Sequence, residues 1–149
     1  TVSAHVPMGL NIAATPDGRK AGSPLADGGV SAVYGRDKFG PTALLNSVSK
    51  LHSELGSNGT LLNMKFLPEF FETEEGIDNF CAILQTIVEL KINHCQINVV
   101  RKEDLLAAKK NPEQFSGLTI RVAGYTAFFV ELADDLQDEI IARTAFGGE

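Results

Sequence analysis

Nine glycines and prolines fall within residues 1–39 (Pro7, Gly9, Pro16, Gly18, Gly22, Pro24, Gly28, Gly29 and Gly35), and they constrain the first quarter of the chain more than any other feature. Proline removes a backbone donor and glycine raises the entropic cost of regular structure, so a long helix or a central strand is excluded there. Thr15-Pro16-Asp17-Gly18 is a turn signal, because Pro16 presets φ and Gly18 accepts positive φ. The segment is therefore expected as loops with short strands, for example around residues 30–33. So long a loop region is unusual inside a compact domain and more often packs against another body.

From residue 40 the text becomes periodic. Leu44, Val48, Leu51 and Leu55 step by four, three and four, which predicts a helix starting at Gly40-Pro41 and stopping at Gly56. Residues 59–66 read as an extended piece closed by Pro68. A second helix is predicted over about 74–91, with Ile77, Phe80, Cys81, Leu84, Ile87 and Val88 inward. Residues 94–100 alternate as a strand does. Residues 102–110 form a short helix stopped by Asn111-Pro112, and 118–122 are a further strand candidate. A last helix is expected over roughly 127–143, with Phe129, Leu132, Leu136 and Ile140 on one face and Asp134, Asp135, Asp138 and Glu139 around the rest. The order helix, strand, helix, strand, helix predicts an α/β fold with buried parallel strands.

Composition narrows the function. Against 19 Asp plus Glu stand 13 Lys plus Arg, a net charge of −6 in 149 residues. No basic cluster is available to displace phosphate counterions, so a nucleic-acid groove is not expected. No apolar run approaches the ~20 residues that cross a bilayer, so no membrane role is expected and a cytoplasmic location is. Two cysteines, Cys81 and Cys95, cannot build a disulfide framework or a four-thiolate metal site, and both read as small apolar packing residues. His5, His52 and His94 lack metal-ligand spacing, so no bound metal or cofactor is expected. There is no Gly-x-Ser-x-Gly elbow, and Gly28-Gly29 is not followed by the Lys-Ser/Thr pair of a phosphate loop. For His5 and Met8, loop packing is the simplest reading. By spacing alone, Gly124 in Arg121-Val122-Ala123-Gly124-Tyr125-Thr126 is a turn residue with positive φ between a strand and a helix.

Arg121-Val-Ala-Gly-Tyr-Thr-Ala-Phe-Phe-Val-Glu-Leu132, followed by Leu136-Gln-Asp-Glu-Ile-Ile-Ala-Arg143, resembles the C-terminal signature of glycyl radical enzymes. That family includes pyruvate formate-lyase and related dehydratases, decarboxylases and lyases. Pro16-Asp-Gly-Arg-Lys-Ala-Gly22, Pro24-Leu-Ala-Asp-Gly28, Gly40-Pro-Thr-Ala43, Ser47-Val-Ser-Lys50, Gly59-Thr-Leu-Leu-Asn63 and Gln96-Ile-Asn-Val-Val100 are similar to family segments in family order. The resemblance implies the C-terminal part of a glycyl radical enzyme α/β barrel, with residues 1–66 as barrel and 67–149 as the glycine radical domain.

It also implies a role for Gly124. A radical S-adenosylmethionine activating enzyme carrying an iron–sulfur cluster would remove its α-hydrogen. With no side chain, the α-carbon radical can lie planar between the amide nitrogen and the carbonyl. Arg121, Val122, Ala123, Tyr125, Thr126 and Phe129 would shape the loop and present it to the activase. In the family the radical passes to a cysteine on another loop, whose thiyl radical attacks a small-molecule substrate. Neither Cys81 nor Cys95 sits in that loop's context, so the role is carried to neither. The chain is expected to be a C-terminal fragment or small subunit of an oxygen-sensitive enzyme of anaerobic metabolism, inactive alone and prone to associate. Its parent would be a radical lyase, dehydratase, decarboxylase or formate acetyltransferase (a transferase), with Pro16-Asp-Gly-Arg19 and His5-Val-Pro-Met-Gly9 closer to the dehydratase and decarboxylase branches. Alternatives are an autonomous spare-part protein that repairs oxygen-damaged pyruvate formate-lyase, and a non-catalytic binding or structural module.

Overall fold

The computed structural model describes residues 4–33 and 35–147. In chain order its elements are α1 (His5–Gly9), α2 (Gly40–Val48), β1 (Leu62–Phe66), α3 (Glu74–Glu89), β2 (Cys95–Val99), α4 (Lys102–Lys110), β3 (Thr119–Arg121), β4 (Thr126–Phe128), α5 (Asp134–Ala142) and β5 (Ala145–Phe146). β1 lies between β2 and β5 and is parallel to both, while β3 and β4 form a separate antiparallel hairpin. The expected α/β fold with buried parallel strands is what the chain adopts.

β1 is buried along its whole length, on both faces. Its odd and even residues meet different surroundings. Leu62, Met64 and Phe66 enter one core with Leu44, Leu45 and Val48 of α2, Ile83 and Ile87 of α3, and Phe146 of β5. Phe66 sits at the centre of an aromatic cluster, with ring centroids 5.2–6.1 Å from Phe70, Phe71, Phe80 and Phe146. On the opposite face stand Asn63 and Lys65, in register with Gln96 and Asn98 of β2. This polar face is roofed by α5 and the hairpin, which share a second core of Val100, Leu105, Ala108, Ile120, Val122, Phe129, Ile140 and Ile141.

The described residues up to 39 are mostly irregular, as their breakers require, but His5–Gly9 forms a short helix around Pro7. Only an isolated parallel bridge, Gly29 to Leu61, stands where short strands were expected around 30–33. Gly28 makes that docking possible: at φ +65°, a Cβ there would lie 2.5 Å from Leu61 O.

Three helix expectations need correction. α2 stops at Val48, with Leu51 and Leu55 left 51% and 79% exposed. On α3 the inward stripe is Gly76, Phe80, Ile83 and Ile87, while Ile77, Cys81, Leu84 and Val88 point out. The helix is apolar over two adjacent stripes about 100° apart, and the sheet with α2 covers only one of them. Cys81 is therefore a surface thiol, not a core residue. The last helix begins at Asp134, because residues 126–128 pair with β3 and 129–131 form a 3₁₀ turn. Glu139, expected on an outer face, is 3% exposed. Among the described residues, no helix is long and apolar enough to cross a membrane.

Candidate functional site

The hairpin turns at residues 122–125. Val122 N–H donates to Tyr125 O at 2.9 Å and closes the turn, and Gly124 at its apex has φ +82°. Positive φ was expected, but the neighbours are two antiparallel strands instead of a strand and a helix. An L-residue disfavours this region by roughly 1–2 kcal/mol. Space is not the constraint, since a Cβ at Gly124 would meet no atom within 4 Å.

Side-chain amides from the polar face of the parallel sheet hold the hairpin's backbone. Asn98 makes a reciprocal pair with Arg121: its Nδ2 donates to Arg121 O at 2.8 Å, and Arg121 N–H donates to its Oδ1 at 2.9 Å. Asn63 Nδ2 donates to Val122 O at 3.1 Å. Gln96 Oε1 accepts from Gly124 N–H at 3.1 Å. Amides on two neighbouring strands thus satisfy the turn's backbone on both sides of Ala123. The site lies here because parallel register places Asn63 beside Gln96 and Lys65 beside Asn98.

A buried charge cluster supports the same turn from below. Arg143, just past α5, donates from Nη1 to Val122 O at 3.0 Å and makes a two-pronged contact with Glu139 at 3.0 and 2.8 Å. Asp27 Oδ2 lies 3.6 Å from Arg143 Nη1 and accepts from Asn63 Nδ2. His5 Nε2 lies 3.2 Å from Glu139 Oε2, both side chains fully buried. His5 thus packs within the fold, as expected, whereas Met8 is 51% exposed. Burial pushes the Asp27 carboxyl above its usual range, and the nearby Arg143 only partly offsets this. Lys65 Nζ donates to Ile140 O and Ile141 O at 3.3 and 3.4 Å, and burial lowers its ammonium to about 8. Burial raises the Cys95 thiol to about 11, which keeps it protonated and unreactive at neutral pH.

The residues singled out in sequence divide into two sets. Arg121, Tyr125 and Thr126 flank the apex on the outside, with Arg121 Nη1 donating to Thr126 Oγ1 at 3.1 Å across the hairpin. Val122, Ala123 and Phe129 are buried beneath it, at 0%, 1% and 0% exposure, so they act on the turn from the core side. Sequence reasoning missed Asn63, Gln96, Asn98, Arg143 and Asp27 as site residues. For the three amides the signal was a polar residue at every second position of an otherwise apolar strand. Among the described residues, no group of His, Cys, Asp or Glu could hold a metal ion.

Residues 26–130 match the family model described as glycine radical. Isethionate sulfite-lyase of Nitratidesulfovibrio vulgaris is 46% identical over 144 residues, which are 95% of this chain and 17% of that protein. Probable dehydratase YbiW of Escherichia coli is 48% identical over 145 residues, 97% of this chain and 18% of its own length. The glycerol-bound B12-independent glycerol dehydratase from Clostridium butyricum superposes with a TM-score of 0.90 at 49% identity, over 95% of this chain and 18% of that one. The chain thus spans less than a fifth of these relatives and corresponds to their C-terminal portion. With a matching family model, close relatives and a shared fold, the chain belongs to the glycyl radical enzyme family.

Proposed function

We propose that Gly124 is the residue that carries the radical. One observation carries this reading: within the stretch matched by the glycine radical model, Gly124 stands exposed at a hairpin apex whose neighbours are held by buried side chains. A hydrogen-abstracting enzyme needs access to the Cα–H, and it needs the chain on either side of the glycine held so that the Cα–H is presented at a fixed position. The apex offers both. The abstracting partner is a radical S-adenosylmethionine activating enzyme with an iron–sulfur cluster, and Arg121, Tyr125 and Thr126 form the surface it meets. Residues 67–149 are the glycine radical domain. Residues 1–66 are the end of the barrel, joined to that domain through the shared β1–β2 ladder.

The radical then passes to a cysteine in the remainder of the enzyme, which turns over a small-molecule substrate. The relatives named above act as a lyase and as dehydratases, which supports that branch over formate acetyltransferase chemistry. The protein works in the cytoplasm, is sensitive to oxygen and associates with further chains. The test is oxygen cleavage. After anaerobic incubation with activase, S-adenosylmethionine and reductant, air should cut the chain at Gly124 and release the segment from Tyr125 to Glu149. An intact mass after air exposure of a radical-bearing sample counts against Gly124.

A further inference from the structure

A carbon radical is stabilised by the amide nitrogen beside it only when its p orbital is parallel to the nitrogen π orbital. The peptide plane fixes that π orbital, so the overlap at Gly124 depends on φ and is largest when φ is either eclipsed or fully extended. At φ +82° the two orbitals are almost perpendicular, and cos² 82° is about 0.02 of full overlap. The apex in this structure is therefore poised against nitrogen-side delocalisation. Contacts on both sides fix it there. Downstream, the Val122–Tyr125 bond closes the turn, backed by the β3–β4 ladder and the Arg121–Thr126 contact. Upstream, the Ala123–Gly124 peptide is held at its N–H by Gln96 Oε1.

A crankshaft turn of the Ala123–Gly124 peptide changes φ of Gly124 with little displacement elsewhere, and the Gln96 bond resists it directly. Gln96 is itself oriented: it is 6% exposed, and its Nε2 lies 3.3 Å from His94 Nε2, so the oxygen faces the glycine. We propose that Gln96 is a positioning residue that latches this peptide in the non-conjugated geometry. Storing the radical, on the reading that Gly124 carries it, requires the peptide to swing away from Gln96. From φ +82° that swing is close to a quarter turn, whether it ends eclipsed or extended.

Two measurements on the full chain and its Gln96→Ala and Gln96→Glu variants test this. In the unactivated chain, hydrogen exchange at the Gly124 amide should speed up about tenfold or more in Gln96→Ala. It should stay within about threefold of wild type in Gln96→Glu, which keeps an acceptor. After activation of 15N-glycine-labelled chain, electron paramagnetic resonance should show the 15N coupling of a conjugated radical in both wild type and Gln96→Ala. The radical should form about fivefold faster in Gln96→Ala, about 1 kcal/mol at 1.36 kcal/mol per tenfold. Unchanged exchange in Gln96→Ala overturns the latch whether or not a radical forms. So does a wild-type radical with negligible nitrogen delocalisation, or activation of Gln96→Ala no faster than wild type. Absence of any Gly124 signal in all three chains sinks the functional reading and the release step with it.

Discussion

Replacing Arg143 with Met should destabilise the chain by about 3–5 kcal/mol, the usual cost of removing one partner from a buried ion pair. The local geometry accounts for the size. The guanidinium is 8% exposed and gives Glu139, itself fully buried, two charge-assisted hydrogen bonds. It also faces Asp27 and supports Val122 O. Met fills similar space but takes the guanidinium away from both carboxylates. The two bonds to Glu139 act as one unit, so they do not add at the full ~1.5–3 kcal/mol each. Urea unfolding followed by circular dichroism reads the loss. With a slope near 2 kcal/mol per molar, about 4 kcal/mol moves the midpoint by about 2 M.

The pH dependence has a definite sign. Burial already raises Asp27 above its ordinary value, so between its unfolded and folded pKa the native state binds the extra proton and stability falls as pH rises. Loss of Arg143 pushes that folded pKa higher still, so the deficit of Arg143→Met should grow from pH 4 to pH 8. Adding Asp27→Asn and Glu139→Gln to Arg143→Met should recover more than half of the loss. A cost below about 1 kcal/mol at pH 7, or a deficit that shrinks as pH rises, would refute the assignment of this cluster as the support of the turn.

Lys65→Met removes an ammonium whose pKa burial lowers from 10.5 to about 8. The unfolded chain binds this proton more tightly, so wild-type stability relative to the variant should rise between pH 8 and 10.5 by up to about 2.5 × 1.36, or about 3 kcal/mol. A pH-independent difference between the two urea midpoints would contradict it. Phe129→Ala should cost about 3–5 kcal/mol by opening a cavity in the second core, where Phe129 is fully buried. A stability unchanged by this substitution would move Phe129 back to the recognition surface.

Much of the fold was legible because its signals are local. The Asn111-Pro112 stop ends α4 where the sequence places it, and β2 falls within the alternating residues 94–100. The hairpin was half legible. Leu118–Val122 read correctly as extended, but Thr126–Phe128 carries the same apolar spacing as the helix after it, and only pairing with β3 decides between them. The stripes of α3 failed for a similar reason: Ile77 and Ile83 are equally apolar, and the position of β1 chooses which one is buried. At the site, Gly124 was visible through its flanking signature. Gln96 and Asn98 were not, because an amide on a strand gains its meaning only when a hairpin much later in the chain closes over it. Asp27 was hidden by a sequence distance that no periodicity spans, and the i,i+4 pair Glu139 and Arg143 reads as a surface ion pair until Asp27 and Val122 O are seen to face it.

The radical on Gly124 is tested most directly by electron paramagnetic resonance of the activated chain grown with α-deuterated glycine. Removing one of two α-hydrogens leaves a single proton to split the signal, so the unlabelled chain should give a doublet. The deuterated chain should give a near-singlet, and Gly124→Ala should give no signal while folding within about 1–2 kcal/mol of wild type. A doublet that survives deuteration, or a signal that persists in Gly124→Ala, would contradict the assignment.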